Sequence, residues 1–275
     1  MEITFAKLEG NGNDFILIDE YEKEIVPEEM KGDFSELYCD RRFGIGADGV
    51  LFLGKGTDTD LTMRLFYPDA SEVKMCGNGI RCLVRYAHDA GYINDSCVVK
   101  TLAGDITVNA SYDEDGDFFA DVLMPPASFE ASLIPAQGTG DFHTIIAGQH
   151  VYAANNGVPH AVVFVDDLDA FPVHEVGPII RNDSVFLQGA NVNFVEITGE
   201  NTISLRIFER YIESETLSCG TGAGAAAAVC HRLRGLPKEI EVETLGGPLM
   251  IRIVDSGCWL KGPVDVVFYG TLLME

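Results

Sequence analysis

Two cysteines of the 275-residue chain lie in nearly identical glycine-rich turns. Cys76 belongs to MCGNG at 75–79, and Cys219 belongs to SCGTG at 218–222. A thiol is a weak acid whose thiolate can remove a proton. A helix that begins directly after the cysteine stabilises the thiolate, because the first N–H groups of a helix carry partial positive charge. The same N–H groups can bind a carboxylate. The pattern predicts two acid–base thiols, each beside a carboxylate-binding turn.

The order of the motifs indicates an internal duplication. GADGVLFL at 46–53 matches GANVNFVE at 189–196, at the same offset of 143 residues that relates the two cysteines. TLAGD at 101–105 matches TLGGP at 244–248 at that offset as well. MRLF at 63–66 and LRIF at 205–208, and Gly12 and Gly157, continue the series within one or two residues of it. A repeat this long predicts two similar domains with a boundary near 118 rather than a solenoid.

The elements of each half follow the same plan. Short β-runs lead through a Gly/Asn turn to a later strand, then to the cysteine turn and a helix. After Cys76, apolar residues at helical spacing predict one buried face, formed by Ile80, Leu83, Val84 and Ala87, with Gly91 at the helix end. The second helix is almost all Ala and Gly over 223–229, so strands can approach it closely. The predicted fold class is α+β, with two pseudo-symmetric duplicated domains, each a curved mixed β-sheet wrapped around a central helix.

Duplicated halves commonly pack about a pseudo-twofold axis, so we expect Cys76 and Cys219 to face each other across an active site in the interdomain cleft. One thiolate would remove a proton from a stereocentre, and the opposite thiol would return a proton to the other face. The helix starts would stabilise the negative charge that develops. This chemistry is cofactor-independent racemisation or epimerisation of a small-molecule amino acid. A thiol–disulfide protein or a binding module is the alternative class, although redox dithiols more often lie in CxxC pairs.

Composition excludes several other functions. The net charge of −24 argues against a nucleic-acid partner, because no basic surface is available for phosphates. The sequence has no apolar run long enough for a membrane span and no secretory leader pattern, so we expect a cytoplasmic protein. Seven cysteines without a CxxC pair favour reduced thiols. The six histidines lack metal-ligand spacing, so we expect no metal.

At these motifs the sequence resembles the diaminopimelate epimerase family over nearly its whole length. The matching segments are GNGNDF at 10–15, CDRRFGIGADG at 39–49, CGNGIRC at 76–82, GVPHAVVFV at 157–165, GANVNF at 189–194, RIFER at 206–210 and ETLSCGTGA at 215–223. The resemblance implies conversion of LL-diaminopimelate to meso-diaminopimelate, a step of lysine biosynthesis, without pyridoxal phosphate or metal. It also implies that the C-terminal strand returns to the first half. The domains are then 1–118 plus 263–275, and 119–262, and a homodimer is possible.

The resemblance also implies a role for each matching residue. Cys76 and Cys219 match the two bases. The turns that hold the reacting carboxylate match Gly77, Asn78, Gly220 and Thr221. The remaining substrate-binding positions match Asn13, Asn191, Glu209 and Arg210. Two positions thought to tune the thiols match His160 and Glu209.

Three positions depart from the family pattern. Tyr67 and Val158 stand where many members carry Asn, and Gly49 stands where some carry Gln. Those amides would read the distal amino-acid group, and a site that lacks them can select a different side chain. A racemase of another amino acid with the same mechanism is therefore the second interpretation.

Overall fold

The computed structural model describes residues 2–210 and 212–273. The chain divides into two compact units, one formed by Met1–Val122 with Gly262–Glu275 and the other by Leu123–Lys261. The strands are β1 (Glu2–Gly10), β2 (Asn13–Glu20), β3 (Gly49–Lys55), β4 (Leu61–Phe66), β5 (Glu72–Val73), β6 (Ser96–Thr101), β7 (Gly104–Tyr112), β8 (Phe118–Met124), β9 (His143–Ile146), β10 (Gln149–Asn155), β11 (Pro159–Phe164), β12 (Asn191–Ile197), β13 (Thr202–Glu209), β14 (Ser214–Thr216), β15 (Glu239–Thr244), β16 (Gly247–Val254), β17 (Gly257–Pro263) and β18 (Asp265–Leu273). The helices are α1 (Lys31–Cys39), α2 (Gly77–Asp89), α3 (Val173–Arg181) and α4 (Gly220–Arg234).

The first unit is built on a mixed sheet. β1 pairs antiparallel with β2, β2 runs parallel to β3, and β3 is antiparallel to β4. β4 is parallel to β6, and β6, β7 and β8 then form an antiparallel meander. The C-terminal strand β18 adds to the free side of β1 in antiparallel orientation.

The second unit repeats this topology strand for strand. β10 is antiparallel to β11, β11 is parallel to β12, and β12 is antiparallel to β13. β13 is parallel to β15, and β15, β16 and β17 continue antiparallel. The short strands β5 and β14 also pair alike, on β4 and β13. The two matching topologies confirm the predicted duplication and the α+β fold class.

A central helix packs inside each sheet. α2 contacts β1, β2, β3, β4 and β7, and α4 contacts β10, β11, β12, β13, β15 and β16. The predicted face of α2 is fully buried, and Gly91 follows the helix in the left-handed conformation (φ 74°), where its N–H bonds the carbonyl of His88 at 3.0 Å. Each sheet therefore wraps around one helix whose first turn carries a predicted active cysteine.

The small residues of α4 allow close packing. Residues Ala223, Ala225, Ala226 and Ala227 are buried, with no exposed surface. A Cβ on Gly222 would lie 2.6 Å from Asn193 Oδ1 and 2.6 Å from Ile207 Cδ1, so any larger residue would force these two buried side chains to shift. The start of α4 therefore sits directly on β12 and β13.

A second apolar layer lies on the other face of each sheet. In the first unit α1 packs on β3 and β4, and in the second unit α3 packs on β12 and β13. The sheets are thus covered on both faces, and the first five residues of each of the central strands β3 and β12 are buried.

Candidate active site

The first half of the candidate site is the turn at Cys76. Its backbone is extended (φ −139°, ψ 124°), and α2 begins at the next residue, Gly77. The side chain is half-buried, and Sγ donates to Asn13 Oδ1 at 3.6 Å. The N–H groups of a first helical turn have no acceptor within the helix. The turn therefore places a thiol beside the first backbone N–H groups of α2.

Asn13 and Asn78 lie beside this thiol. Asn13 follows a tight turn in which both Asn11 and Gly12 are left-handed (φ 52° and 78°). Its Nδ2 donates to Asp48 Oδ2 at 2.6 Å, and its Oδ1 accepts from Asn78 Nδ2 at 3.4 Å. The amide of Asn13 is therefore held with its oxygen toward the turn.

Arg81 is part of the same network and was not predicted. The side chain has no exposed surface, and its Nη2 donates to Asn78 Oδ1 at 2.7 Å and to Asn11 Oδ1 at 2.8 Å. A charged residue in the otherwise apolar stretch IRCLV, four residues after Gly77, is the sequence signal that could have identified it.

The second half of the candidate site is the turn at Cys219. Its backbone is again extended (φ −140°, ψ 114°), and α4 begins at Gly220. The half-buried Sγ lies 3.4 Å from Thr221 Oγ1. The buried Asn156 donates from Nδ2 to the carbonyl of Thr221 at 2.8 Å, which fixes the first turn of the helix.

Glu209 ends β13 close to this thiol. Thr216 Oγ1 donates to Glu209 Oε1 at 2.6 Å. Burial raises the pKa of Glu209, while hydrogen bonds from Thr216 and Cys219 act in the opposite direction. Glu209 is therefore a half-buried acid in hydrogen-bonding contact with Cys219.

His160 lies on β11 with no exposed surface. Burial lowers the pKa of His160 to about 3, and the positive charge of Arg210 adds to this shift. The amide Nδ2 of the buried Asn193 lies 3.2 Å from His160 Nδ1 and also donates to the carbonyl of Ala161 at 2.9 Å. Because the amide donates, Nδ1 of the neutral ring accepts and the proton is on Nε2. Nε2 has no protein hydrogen-bond partner in the described part of the chain.

Asn193 was also missed at the sequence level. It lies two residues after Asn191 on β12, and so on the same face of that strand. A polar residue between buried apolar neighbours is the signal that could have found it.

Asn191 and Arg210 form a further pair. The Arg210 backbone N–H donates to Asn191 Oδ1 at 3.0 Å, and Arg210 Nη1 donates to the carbonyl of Gln188 at 3.2 Å. In the parallel register of β11 and β12, His160 stands opposite Asn191. The second unit therefore gathers His160, Asn191 and Arg210.

Two of the positions that depart from the family pattern are in contact. A Cβ on Gly49 would lie 3.3 Å from Tyr67 Cδ1 and 2.9 Å from the carbonyl oxygen of Phe66, so glycine makes room for the tyrosine ring. Val158 is in the turn between β10 and β11, directly before Pro159.

Clusters of metal ligands and membrane-spanning helices are absent from the described residues, 2–210 and 212–273. Within them, no group of three or more His, Cys, Asp or Glu side chains is arranged to hold a metal ion. No helix in this part of the chain has the length and apolar character needed to cross a bilayer.

Known protein sequences match this chain along its length. The sequence model of the diaminopimelate epimerase family matches residues 5–129 and 152–267. A diaminopimelate epimerase of Methanothrix thermoacetophila is 49% identical, with 100% of this chain and 97% of the relative covered. Diaminopimelate epimerases of Methanocella arvoryzae and Archaeoglobus fulgidus are 48% and 42% identical, covering 98% and 100% of this chain and 97% and 98% of the relatives.

Solved structures share the fold at low identity. A phenazine biosynthesis protein of the PhzF family from Bacillus anthracis aligns over 100% of both chains, with a TM-score of 0.71 and 18% identity. A probable proline racemase from Agrobacterium radiobacter K84 covers 99% of this chain and 93% of its own, with a TM-score of 0.66 and 15% identity.

The chain has a duplicated α+β fold with a cysteine at the start of each central helix, and its epimerase relatives match it along the whole length. These features define an amino-acid epimerase of the isomerase class. The chain belongs to the diaminopimelate epimerase family. The predicted family and enzyme class are confirmed.

Proposed function

We propose that the chain converts LL-diaminopimelate into meso-diaminopimelate by a two-base mechanism that uses Cys76 and Cys219 and no cofactor. The observation that carries the proposal is the repeated construction: each cysteine directly precedes the central helix of a unit with the same topology. The family match and relatives of 42–49% identity support the substrate.

The reaction moves one proton off the α-carbon and another onto it. The thiolate of one cysteine takes the α-proton and forms an S–H bond, and the electron pair of the C–H bond passes to the α-carbon and its carboxylate. The thiol of the other cysteine then gives its proton to the opposite face of the same carbon. The substrate leaves inverted, and the two sulfurs have exchanged protonation states. This requires both sulfurs to reach the same α-carbon, one on each face.

The two helix starts are suited to the substrate carboxylate. Backbone N–H groups at Gly77, Asn78, Gly220 and Thr221 belong to first helical turns and can donate to its oxygens. As the α-proton leaves, negative charge grows on this carboxylate, and fixed donors stabilise it more than they stabilise the ground state. The same donors therefore serve binding and catalysis.

His160 and Glu209 tune the thiols in different ways. A histidine whose pKa lies at about 3 is neutral at physiological pH, so His160 acts as a hydrogen-bonding dipole and not as a cation. Glu209 bonds Cys219 and supplies an acceptor for its S–H. The Glu209 carboxylate orients the Cys219 thiol for donation of its proton to the substrate.

Asn13, whose Oδ1 accepts from Cys76 Sγ, belongs to the reacting end of the substrate, and Asn191, Glu209 and Arg210 bind the distal end. Arginine recognises a carboxylate through two parallel N–H bonds, which suits the second carboxylate of diaminopimelate. Asn191 holds the backbone of Arg210 and so aims its side chain.

We also propose a cytoplasmic homodimer in lysine biosynthesis. Val267, Phe268 and Tyr269 expose 55%, 45% and 64% of their surface on the edge strand β18. An exposed apolar edge of this kind supports association with a second copy. Sedimentation of the wild type and of Phe268→Lys tests the assembly: the substitution is expected to yield a monomer, and an unchanged mass contradicts this surface.

α-Proton exchange in D₂O with meso-diaminopimelate, under reducing conditions, tests the proposed function. Wild type is expected to exchange the proton and invert the centre. Cys76→Ala and Cys219→Ala each remove one base and are expected to abolish inversion. Cys97→Ala is the matched control, because Cys97 is a buried thiol of β6 and belongs to neither turn, and it is expected to invert normally.

Each result has a clear meaning. Inversion that survives in either turn variant contradicts the two-base mechanism. Absence of exchange in reduced, folded wild type contradicts the substrate, and a chiral amino-acid panel then identifies the actual one. A Cys76–Cys219 bridge that forms readily and supports thiol exchange without any α-proton chemistry favours the redox alternative.

A further inference from the structure

Arg81 is a buried cation at the back of the first cysteine turn. Its guanidinium makes four hydrogen bonds, all to neutral oxygens. The acceptors are Asn11 Oδ1 at 2.8 Å, Asn78 Oδ1 at 2.7 Å, Pro263 O at 2.9 Å and Gly77 O at 3.3 Å. Across residues 2–210 and 212–273, no carboxylate forms an ion pair with it. Isolated buried charges are costly, so this arrangement calls for an explanation beyond packing.

The hydrogen-bond network leads from this charge to the first thiol. Arg81 donates to Asn78 Oδ1, Asn78 donates to Asn13 Oδ1, and that oxygen also accepts from Cys76 Sγ. A second path runs through the carbonyl of Gly77, the residue next to Cys76. The S–H contact at 3.6 Å describes the protonated thiol. The nearby positive charge lowers the cost of losing that proton.

The duplicated half lacks this cation. At the offset that relates the two cysteines, Arg81 corresponds to Gly224. At the offset that relates Gly12 to Gly157, Asn11 corresponds to Asn156, whose Nδ2 lies 3.0 Å from where a Cβ on Gly224 would be. In the second unit a neutral amide therefore supports the helix start.

The second half has a carboxylate instead. Glu209 follows LRIF as Tyr67 follows MRLF, so the two residues are equivalent. Cys219 thus has an acid as its hydrogen-bonding partner, whereas the first half has a phenol at that position and a guanidinium behind the turn. The two thiols are chemically unequal although the folds around them are the same.

We propose that Arg81 is a positioning residue that stabilises the thiolate of Cys76, so that Cys76 ionises more readily than Cys219. The inference rests on the proposed function and deepens it. In the resting enzyme Cys76 is the base, and Cys219, bonded to Glu209, is the acid.

Other charged groups near the turn do not cancel this effect. Glu9 on β1 bonds the N–H of Gly12 at 2.8 Å, and Asp14 on β2 is paired with Lys7 and Arg41. On α2 itself, Cys82 is fully buried and its pKa is strongly raised by burial, so it stays a thiol. Asp48 is bonded to Asn13 and paired with Arg41.

Alkylation of each thiol by iodoacetamide, followed across pH by peptide mass spectrometry, tests the proposal. In wild type the midpoint for Cys76 is expected below that for Cys219. Arg81→Met removes the charge but keeps an apolar stem, and is expected to raise the Cys76 midpoint by about one pH unit while leaving the Cys219 midpoint in place. Arg81→Lys is expected to restore most of the difference.

Arg85→Met is the matched control. Arg85 lies one turn further along α2, where it pairs with Asp89 at 2.7 Å, and its loss is expected to move neither midpoint. Equal midpoints in wild type, or an unchanged Cys76 midpoint in Arg81→Met, would overturn the proposal.

The wild-type comparison needs no variant, so the proposal stays testable even when Arg81→Met does not fold. The alkylation assay also needs no substrate. A failure here is therefore distinct from a failure of the proposed function, which shows as absence of α-proton exchange with unequal midpoints intact.

Discussion

The buried His160 makes the stability of this protein depend on pH in a defined window. In the unfolded chain the pKa of histidine is 6.5, whereas in the folded protein burial lowers the pKa of His160 to about 3. Below pH 6.5 the imidazole of His160 binds a proton in the unfolded state but stays neutral in the folded state. Stability is therefore complete above pH 6.5 and is lost progressively as the pH falls toward 3.

The size of the effect follows from the two pKa values. Proton linkage for this group gives a loss of about 2 kcal/mol in the free energy of unfolding between pH 7.5 and pH 5. His160→Gln removes the titrating group and can still accept the hydrogen bond from Asn193. We expect the variant to be less stable than wild type at pH 7.5, but to lose about 2 kcal/mol less on acidification.

Urea unfolding at pH 7.5 and pH 5 measures this difference. Carboxylates elsewhere titrate alike in both proteins, so their contributions cancel. Val163→Ala is the matched control, because it leaves a cavity on the same buried strand without removing a titrating group, and it is expected to keep the pH dependence of wild type. If His160→Gln loses as much stability on acidification as wild type does, the neutral, buried state of His160 is refuted.

Three further results are expected. Gly222→Ala places a Cβ 2.6 Å from Asn193 Oδ1, so it is expected to lower the free energy of unfolding by about 1–3 kcal/mol and to abolish activity. Calorimetry measures the stability and α-proton exchange measures the activity, and an unchanged melting temperature contradicts the close packing. Glu209→Gln is expected to lower kcat about tenfold or more. Its melting temperature is expected to stay the same or rise, because burial raises the pKa of this acid and makes its charge unfavourable. A drop in both kcat and melting temperature would assign Glu209 a structural role instead. With a net charge of −24, the protein is expected to melt at a higher temperature in 1 M NaCl than in 0.05 M NaCl, and a flat response would show that self-repulsion is unimportant.

Much of the fold could be predicted because the internal repeat in the sequence indicates two domains of the same topology. Glycine and cysteine positions recur within two residues of one offset, and the apolar face of α2 follows helical periodicity, so two sheets around two helices can be predicted from the sequence. The helix starts were also predictable, since the glycines follow each cysteine directly.

The electrostatic environment of the polar residues in the candidate site could not be predicted from the sequence in the same way. Arg81 and Asn193 are buried because strands distant in sequence pack around them, and the identity of one polar residue in the sequence does not predict this burial. The charge state of His160 likewise depends on desolvation by the whole unit. Periodicity reports which face is apolar, whereas the environment of a polar atom depends on tertiary contacts.

The central claim is that two different thiols handle the proton on the two faces of one carbon. Its most direct test is the fate of hydrogen during the first turnovers of LL-diaminopimelate in D₂O, with product and remaining substrate analysed separately by mass spectrometry. We expect product with deuterium at the inverted carbon, while unreacted substrate keeps its original hydrogen, because the removed proton stays on one sulfur and the new one comes from the other. Early product that retains the original hydrogen at the inverted carbon would show a single base serving both faces, and would contradict the two-base mechanism.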